Sequence, residues 1–325
     1  MRPLLIAVPW AILLGLCASL TAQDKKAPAP GQGKPEVVKD QVKGSIHHRP
    51  HGKEVEWERI TGKVQVIDPS AIRFSDGTVV QLAHIPELNE TSQKEATEFL
   101  RKLVNDRPVT SFGYVGDTNL EHALIINGWA LASHSSMHPA EVIAREHKRG
   151  FWRDRGDNPG KKAQVADGKP MVVKDRVKGS INHDKGKREW DRITGRVRVI
   201  DAHTLEFADG TRILLHVVAP DLGQMGMIGE SHYPLGKEAA EFLRKLIGDQ
   251  PVMCFFVEAQ DDKWIGYVGD TNIGHALVIN GWGLAHHSSL HPAEIAAREN
   301  KRGFWRGKFL DPADWRDGKR LPGEK

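Results

Sequence analysis

Along this chain, stretches in which apolar and polar residues alternate give way to helical spacing, and the whole succession occurs twice. Val64 and Val66, then Ile72 and Phe74, alternate with polar neighbours, and Val197, Val199, Leu205 and Phe207 repeat the arrangement. A period of two predicts half-buried strands. Ser75-Asp76-Gly77 and Ala208-Asp209-Gly210 predict hairpin turns in which glycine supplies a positive φ. Third strands follow over residues 78–83 and 211–218. Ala96, Phe99, Leu100, Leu103 and Val104 then share one face at 3.6-residue spacing, as do Ala239, Phe242, Leu243, Leu246 and Ile247, which predicts one amphipathic helix in each series. Pro108 and Pro251 open a fourth strand, and residues 122–127 and 275–280 form short apolar helices ended by Gly128 and Gly281. Pro139 and Pro292 suit the first turn of a last helix. Gly150 and Gly303 stand where a C-terminal cap is expected, ahead of Phe151-Trp152 and Phe304-Trp305, which pack back on the core.

The repetition is close. Residues 113–152 and 266–305 align without a gap and differ at nine positions, leaving 31 of 40 identical. Self-similarity on this scale means two copies of one domain. A chain of 325 residues is long enough for about two domains of ordinary size. The copies begin near Val37 and Val172, after segments rich in Lys, Pro and Gly that read as flexible tethers. The expected organisation is a leader at 1–22, a linker at 23–36, domain 1 at 37–153, a linker at 154–171, domain 2 at 172–308 and a basic tail at 309–325.

The leader reads as a secretory signal: Arg2 gives a positive start, residues 3–20 are almost wholly apolar, and Ala22 offers a small residue for cleavage. The alternative is a retained anchor, which Pro9 and the polar run after Ala22 disfavour. The expectation is therefore a secreted, periplasmic or cell-envelope protein with no membrane contact after cleavage. Of the two cysteines, Cys17 lies in the leader, so cleavage leaves only Cys254 and excludes an intrachain disulfide. Cys254 sits in an apolar run and reads as a core residue. A net charge of +4 is compatible with nucleic acid without singling it out.

The order of strands and helices is that of a small five-stranded OB barrel with appended helices. At the level of residues, the second copy resembles the staphylococcal nuclease (thermonuclease-like) family. The resemblance is carried by Val199-Ile200-Asp201-Ala202-His203-Thr204, Ala219-Pro220-Asp221, and Tyr233 followed by Gly236-Lys237-Glu238-Ala239. Gly281, Gly283-Leu284-Ala285, the ending Ala297-Arg298 to Gly303-Phe304-Trp305 and the tail's Trp315-Arg316 extend it. It implies a mixed β+α fold of two tandem OB-type (SNase-like) five-stranded barrels with appended helices. The first copy is trimmed: it lacks a match for about ten residues before its first helix and for residues 256–265.

The family hydrolyses phosphodiesters of DNA and RNA, usually with calcium. That chemistry needs carboxylates to hold a hard cation and arginines to stabilise charge on phosphate. Position by position, this chain departs from the pattern. The Asp-Gly-Asp-Thr turn is Asp201-Ala202-His203-Thr204, so His203 replaces a metal carboxylate. The strand arginine position holds Ile213; Arg212 is one residue away, hence on the opposite face. The Asp-Ala/Thr-Pro-Glu run is Val218-Ala219-Pro220-Asp221, and the hairpin carrying Asp262 lacks its arginine. In the first copy the turn is Asp68-Pro69-Ser70-Ala71 and the later run is His84-Ile85-Pro86-Glu87, which keeps only Glu87. The vestigial candidates are thus Asp201, His203, Thr204, Asp221 and Asp262, with Glu87 in domain 1. No cofactor is expected, since the calcium ligands that the resemblance implies are missing.

Two groups of histidines bear on metal binding. His134, His138 and Glu141, with His287, His291 and Glu294, have a spacing compatible with zinc, against a reading as hydrogen-bonded or exposed histidines. His47, His48 and His51 read as solvated. The expected function is a catalytically degenerate module that binds nucleic acid (DNA or RNA) or a protein partner. The alternative is an active endonuclease with a rebuilt site in domain 2, so enzyme status stays open. A purely structural envelope module is the third reading.

Overall fold

A computed structural model describes residues 37–46, 53–153, 155, 172–181, 186–258 and 263–324. The expected leader, the three N-terminal histidines, the linkers (Arg155 apart) and Asp262 lie outside the described residues. The first copy runs β1 (Val38–Ile46), β2 (Lys53–Gly62), β3 (Val64–Asp68), β4 (Ala71–Phe74), β5 (Val79–Gln81), α1 (Glu90–Val104), β6 (Val109–Thr110), β7 (Tyr114–Val115), β8 (Thr118–Asn119), α2 (Leu120–Ile126) and α3 (His138–Glu146). The second runs β9 (Val173–Ile181), β10 (Gly186–Gly195), β11 (Val197–Val199), β12 (Thr204–Phe207), β13 (Arg212–Leu215), β14 (Gly226–Ile228), β15 (Ser231–Tyr233), α4 (Leu235–Ile247), β16 (Val252–Glu258), β17 (Lys263–Val268), β18 (Thr271–Asn272), α5 (Ile273–Ile279), α6 (His291–Glu299) and α7 (Pro312–Arg316).

The fold is mixed β plus α, built on several antiparallel sheets. In the second copy one hydrogen-bonded path runs β11-β12-β13-β17-β16-β10-β9, with β18 on β17 and β14–β15 as a separate hairpin. Its β13–β17 junction is parallel, joining Leu214 to Lys263 and Leu215 to Trp264. The first copy divides instead into β1-β2-β6-β7-β8 and β3-β4-β5. The reason is length: β16 and β17 have 7 and 6 residues, whereas β6 and β7, without a match for residues 256–265, have two each. Strands that short end before they can reach β5.

The helices follow their sequence signals. Asn89 caps α1 by accepting from the Ser92 amide at 2.8 Å, and Ala96, Leu100 and Val104 are buried on its inner face. Ala239, Leu243 and Ile247 do the same on α4. Pro139 sits in the first turn of α3 as expected. Gly150 and Gly303, in contrast, are not helix caps. The left-handed residue after α3 is Lys148 (φ 50°), and after α6 it is Lys301 (φ 50°). Gly150 instead lets two backbone segments meet: a Cβ there would lie 2.1 Å from the Gly128 carbonyl oxygen. Gly150→Ala should therefore cost well above the roughly 1 kcal/mol of a positive-φ penalty alone. Denaturant melts check this; a loss equal to that of Gly77→Ala, whose surroundings are open, would refute it.

The two copies interlock. Val177, Trp190, Phe255, Ile265 and Tyr267 of the second copy belong to the hydrophobic core of the first. Tyr114 and Phe112 of the first pack in the core of the second. Helix α3 lies on β9, and α6 lies on β1. The exchanges of Tyr114 with Tyr267 and of α6 on β1 with α3 on β9 mirror each other, as in a two-fold interface of the kind found in homodimers, made here within one chain.

Candidate functional site

The turn between β11 and β12 is organised by Asp201. Its Oδ1 accepts from the amides of His203 (2.9 Å) and Thr204 (2.7 Å), and His203 Nδ1 lies 3.2 Å away. Short carboxylates stabilise turns in this way by bonding their own backbone two residues on. Burial pushes the His203 imidazole below its ordinary range, opposed by the nearby Asp201 charge. Arg316, on α7 in the tail, also lowers it, and Asp221 raises it. Arg316 closes the site from the other side: its Nε donates to Asp221 Oδ2 at 2.7 Å and its terminal nitrogen to the Ala219 carbonyl at 3.0 Å. A half-buried imidazole, two engaged carboxylates and one guanidinium from the tail thus come together.

Ile213 is buried and Arg212 points outward to Glu206 at 2.6 Å, so the one-residue offset does send them to opposite faces. Val218 bonds through its carbonyl to the Leu284 amide at 2.7 Å. In the first copy His84 makes the same bond to Leu131, which fixes His84 as the counterpart of Val218. Glu87 is exposed between β5 and α1. Ser70 is taken up by Asp68, which accepts from its amide and hydroxyl at 2.7 Å each.

Of the zinc-spaced residues, His134 and His287 meet with ring centroids 5.7 Å apart, and the others are taken up by separate contacts. Glu141 and Glu294 are buried and accept from the amides of Ala132 (2.8 Å) and Ala285 (2.7 Å). His138 stacks on Trp190 across the seam and His291 lies against Trp57. His287 turns its Nδ1 to Ser289 Oγ at 3.0 Å. Among the described residues, no group of three or more His, Cys, Asp or Glu is gathered to hold a metal.

The seam itself carries a reciprocal motif that strand and helix spacing did not expose. His122 Nε2 lies 3.3 Å from the Tyr267 hydroxyl, and His275 Nε2 lies 3.2 Å from that of Tyr114. Each hydroxyl also accepts from its own copy's asparagine, Asn119 or Asn272, at 3.2 Å. Burial drives both imidazoles down to about 4, with His122 lowered further by His275. Both are neutral at pH 7. Arg149 reaches Asp270 at 3.0 Å and Arg302 reaches Asp117 at 2.9 Å, so the Gly-Asp-Thr turns serve the interface.

Comparison with family models gave no match, and comparison with curated proteins gave none either. The site is therefore read from its own geometry.

Proposed function

We propose that this chain is an exported, thermonuclease-type tandem OB protein that holds nucleic acid without cutting it. The observation that carries this reading is the state of the second-copy centre. Asp201 is spent on its own turn and Asp221 on Arg316. Calcium needs six to eight oxygen ligands, commonly carboxylates, and a cation would have to displace a charge-assisted bond to reach Asp221. The OB assignment is supported by the parallel β13–β17 junction and by the single residue, Arg196, between β10 and β11, which leads the chain from the next-to-last strand of the path to the first at its opposite end.

Beside Asp221, an open groove of about 710 Å³ runs along α4. Phe242 and Trp282 pair on its floor with centroids 6.3 Å apart, and Lys237, Arg244 and Lys245 stand on its wall. Aromatic faces with cations alongside suit stacked bases and phosphates of a single strand. Glu241 pairs with Arg244 and Lys245, which moderates the positive potential. Retention of single-stranded DNA and RNA on the full chain is the test. Phe242→Ala should weaken retention about tenfold or more, and Lys237→Ala should reduce its salt slope by about one. Equal retention by wild type and Phe242→Ala would remove the groove from the account.

A second reading, a nuclease with a rebuilt centre, is favoured by one observation. Arg316 supplies beside Asp221 and His203 an arginine that strand β13 lacks.

A further inference from the structure

The internal two-fold makes two equivalent clefts between the copies, so each serves as the reference for the other. Leu82, Gly113, Asn119 and His134 line the first, and their repeats Leu215, Gly266, Asn272 and His287 line the second. The first cleft is an open groove of about 280 Å³ with Glu121 on its wall. The Glu121 carboxylate accepts from Ser133 Oγ at 2.7 Å and faces His134 Nε2 at 3.7 Å. Burial works against that charge, and the contacts with His134 and Ser133 outweigh it, so the carboxyl stays below its ordinary range.

In the second cleft both members of this pair have changed. Gly274 stands in place of Glu121 and His286 in place of Ser133. Of the nine differences in the matched stretch, only one other, His147 against Asn300, changes the chemistry of a side chain so far. Both of the others fall in one cleft and on interacting partners. The second cleft also gains His216, whose ring meets that of His286 at 3.9 Å, and Trp264. The second cleft is the narrower of the two, with room of about 40 Å³ and Gly274 on its wall where the first copy keeps a carboxylate. That is space for more than one water-sized group. Gly274 is not demanded by the backbone: a Cβ there would make ordinary contacts, 3.4 Å to Asn272 and 3.6 Å to the His216 carbonyl.

We propose that the second cleft is a binding site for a small aliphatic carboxylate, whose anionic end takes the place that Glu121 occupies in the first. His287 would face that end as His134 faces Glu121, and His286 would stand in for Ser133. The apolar end would lie against Leu215 and Trp264. Removing one carboxylate from a matched environment leaves the cleft more positive by one charge, which favours an anion. Room of about 40 Å³ restricts the occupant to a compact free acid.

Propionate is the glutamate side chain cut free, so it is the probe. Full-chain protein is titrated with propionate, with propionamide as the neutral control and inorganic phosphate as the competing anion, following the histidine ring signals by NMR. Wild type should bind one propionate saturably in the millimolar range, with the His286 and His287 signals moving and little response to propionamide or phosphate. Gly274→Glu restores the first copy's arrangement. It should fold normally and lose binding by about tenfold or more, as expected when a charged hydrogen-bonded group is blocked. Glu121→Gly should raise the stoichiometry toward two. His286→Ser, which copies the first cleft without filling the space, should weaken binding without changing the fold. No saturable binding by wild type, equal binding by Gly274→Glu and His286→Ser, or equal affinity for phosphate would each overturn the proposal.

Discussion

Replacing Arg192 with methionine is expected to destabilise the protein by about 3–5 kcal/mol, while the same change at its repeat, Arg59, costs no more than about 1 kcal/mol. The two arginines have matching partners. Arg192 bonds Asp175 on its own hairpin at 2.8 and 2.5 Å and reaches across the seam to Glu146 at 2.7 Å. Arg59 bonds Asp40 at 3.0 and 2.5 Å and reaches Glu299 at 2.8 Å. Their surroundings differ. The Arg192 side chain is 0% exposed and that of Glu146 is 6%, against 16% and 46% for Arg59 and Glu299. Removing Arg192 leaves a carboxylate out of water with no counter-charge, whereas Glu299 is rehydrated. Urea melts at pH 7 decide the matter. The double change Arg192→Met with Glu146→Met should recover much of the loss, since the carboxylate then left without its partner, Asp175, is 26% exposed. Equal losses at Arg192 and Arg59 would show that burial is not what separates them.

The second large effect is acid lability. His122 and His275 have imidazoles lowered from 6.5 to about 4 in the folded protein. The unfolded chain therefore binds more protons than the folded one throughout that interval, and stability falls as pH falls through it. The contribution is whole above pH 6.5 and is lost on approach to pH 4, at up to about 3 kcal/mol for each imidazole. His122 is faced by the Tyr267 hydroxyl, by His275 and by Glu121; His275 is faced by the Tyr114 hydroxyl and Asp117. Two imidazolium ions would thus be forced together at the seam. Denaturant melts at pH 7, 5.5 and 4.5 should show a steep decline in wild type and a much shallower one in the His122→Gln, His275→Gln double variant. Parallel pH profiles would place the acid sensitivity elsewhere.

Much of the local structure was legible because it rests on nearest-neighbour chemistry. The period-two strands, the Asp-Gly hairpins with Gly77 and Gly210 at φ 91° and 84°, and the buried stripes of α1 and α4 all follow from short-range patterns. The opposite facing of Arg212 and Ile213 follows from strand geometry alone. What escaped depends on contacts far apart in sequence. Gly150 reads as a cap by position, yet its role is set by Gly128, twenty-two residues earlier in the chain. The Arg316–Asp221 bond joins residues 95 apart, and the Tyr267–His122 contact joins residues 145 apart. One signal for the seam was present: Tyr, Asn and His recur at the same spacing in both copies, each a polar group attached to an apolar run. Burying such groups requires partners, and the other copy supplies them.

Our proposal is that Arg316, by engaging Asp221, closes the second-copy centre so that it holds nucleic acid without cutting it. The most direct measurement is turnover of single-stranded DNA and RNA by the full chain in calcium and in chelator, with His203→Ala and Arg316→Ala measured alongside. The expected result is retained substrate, cleavage at the blank rate under every condition, and no difference among the three proteins. Calcium-dependent cleavage by wild type that disappears in His203→Ala or Arg316→Ala would contradict it and establish the rebuilt centre instead.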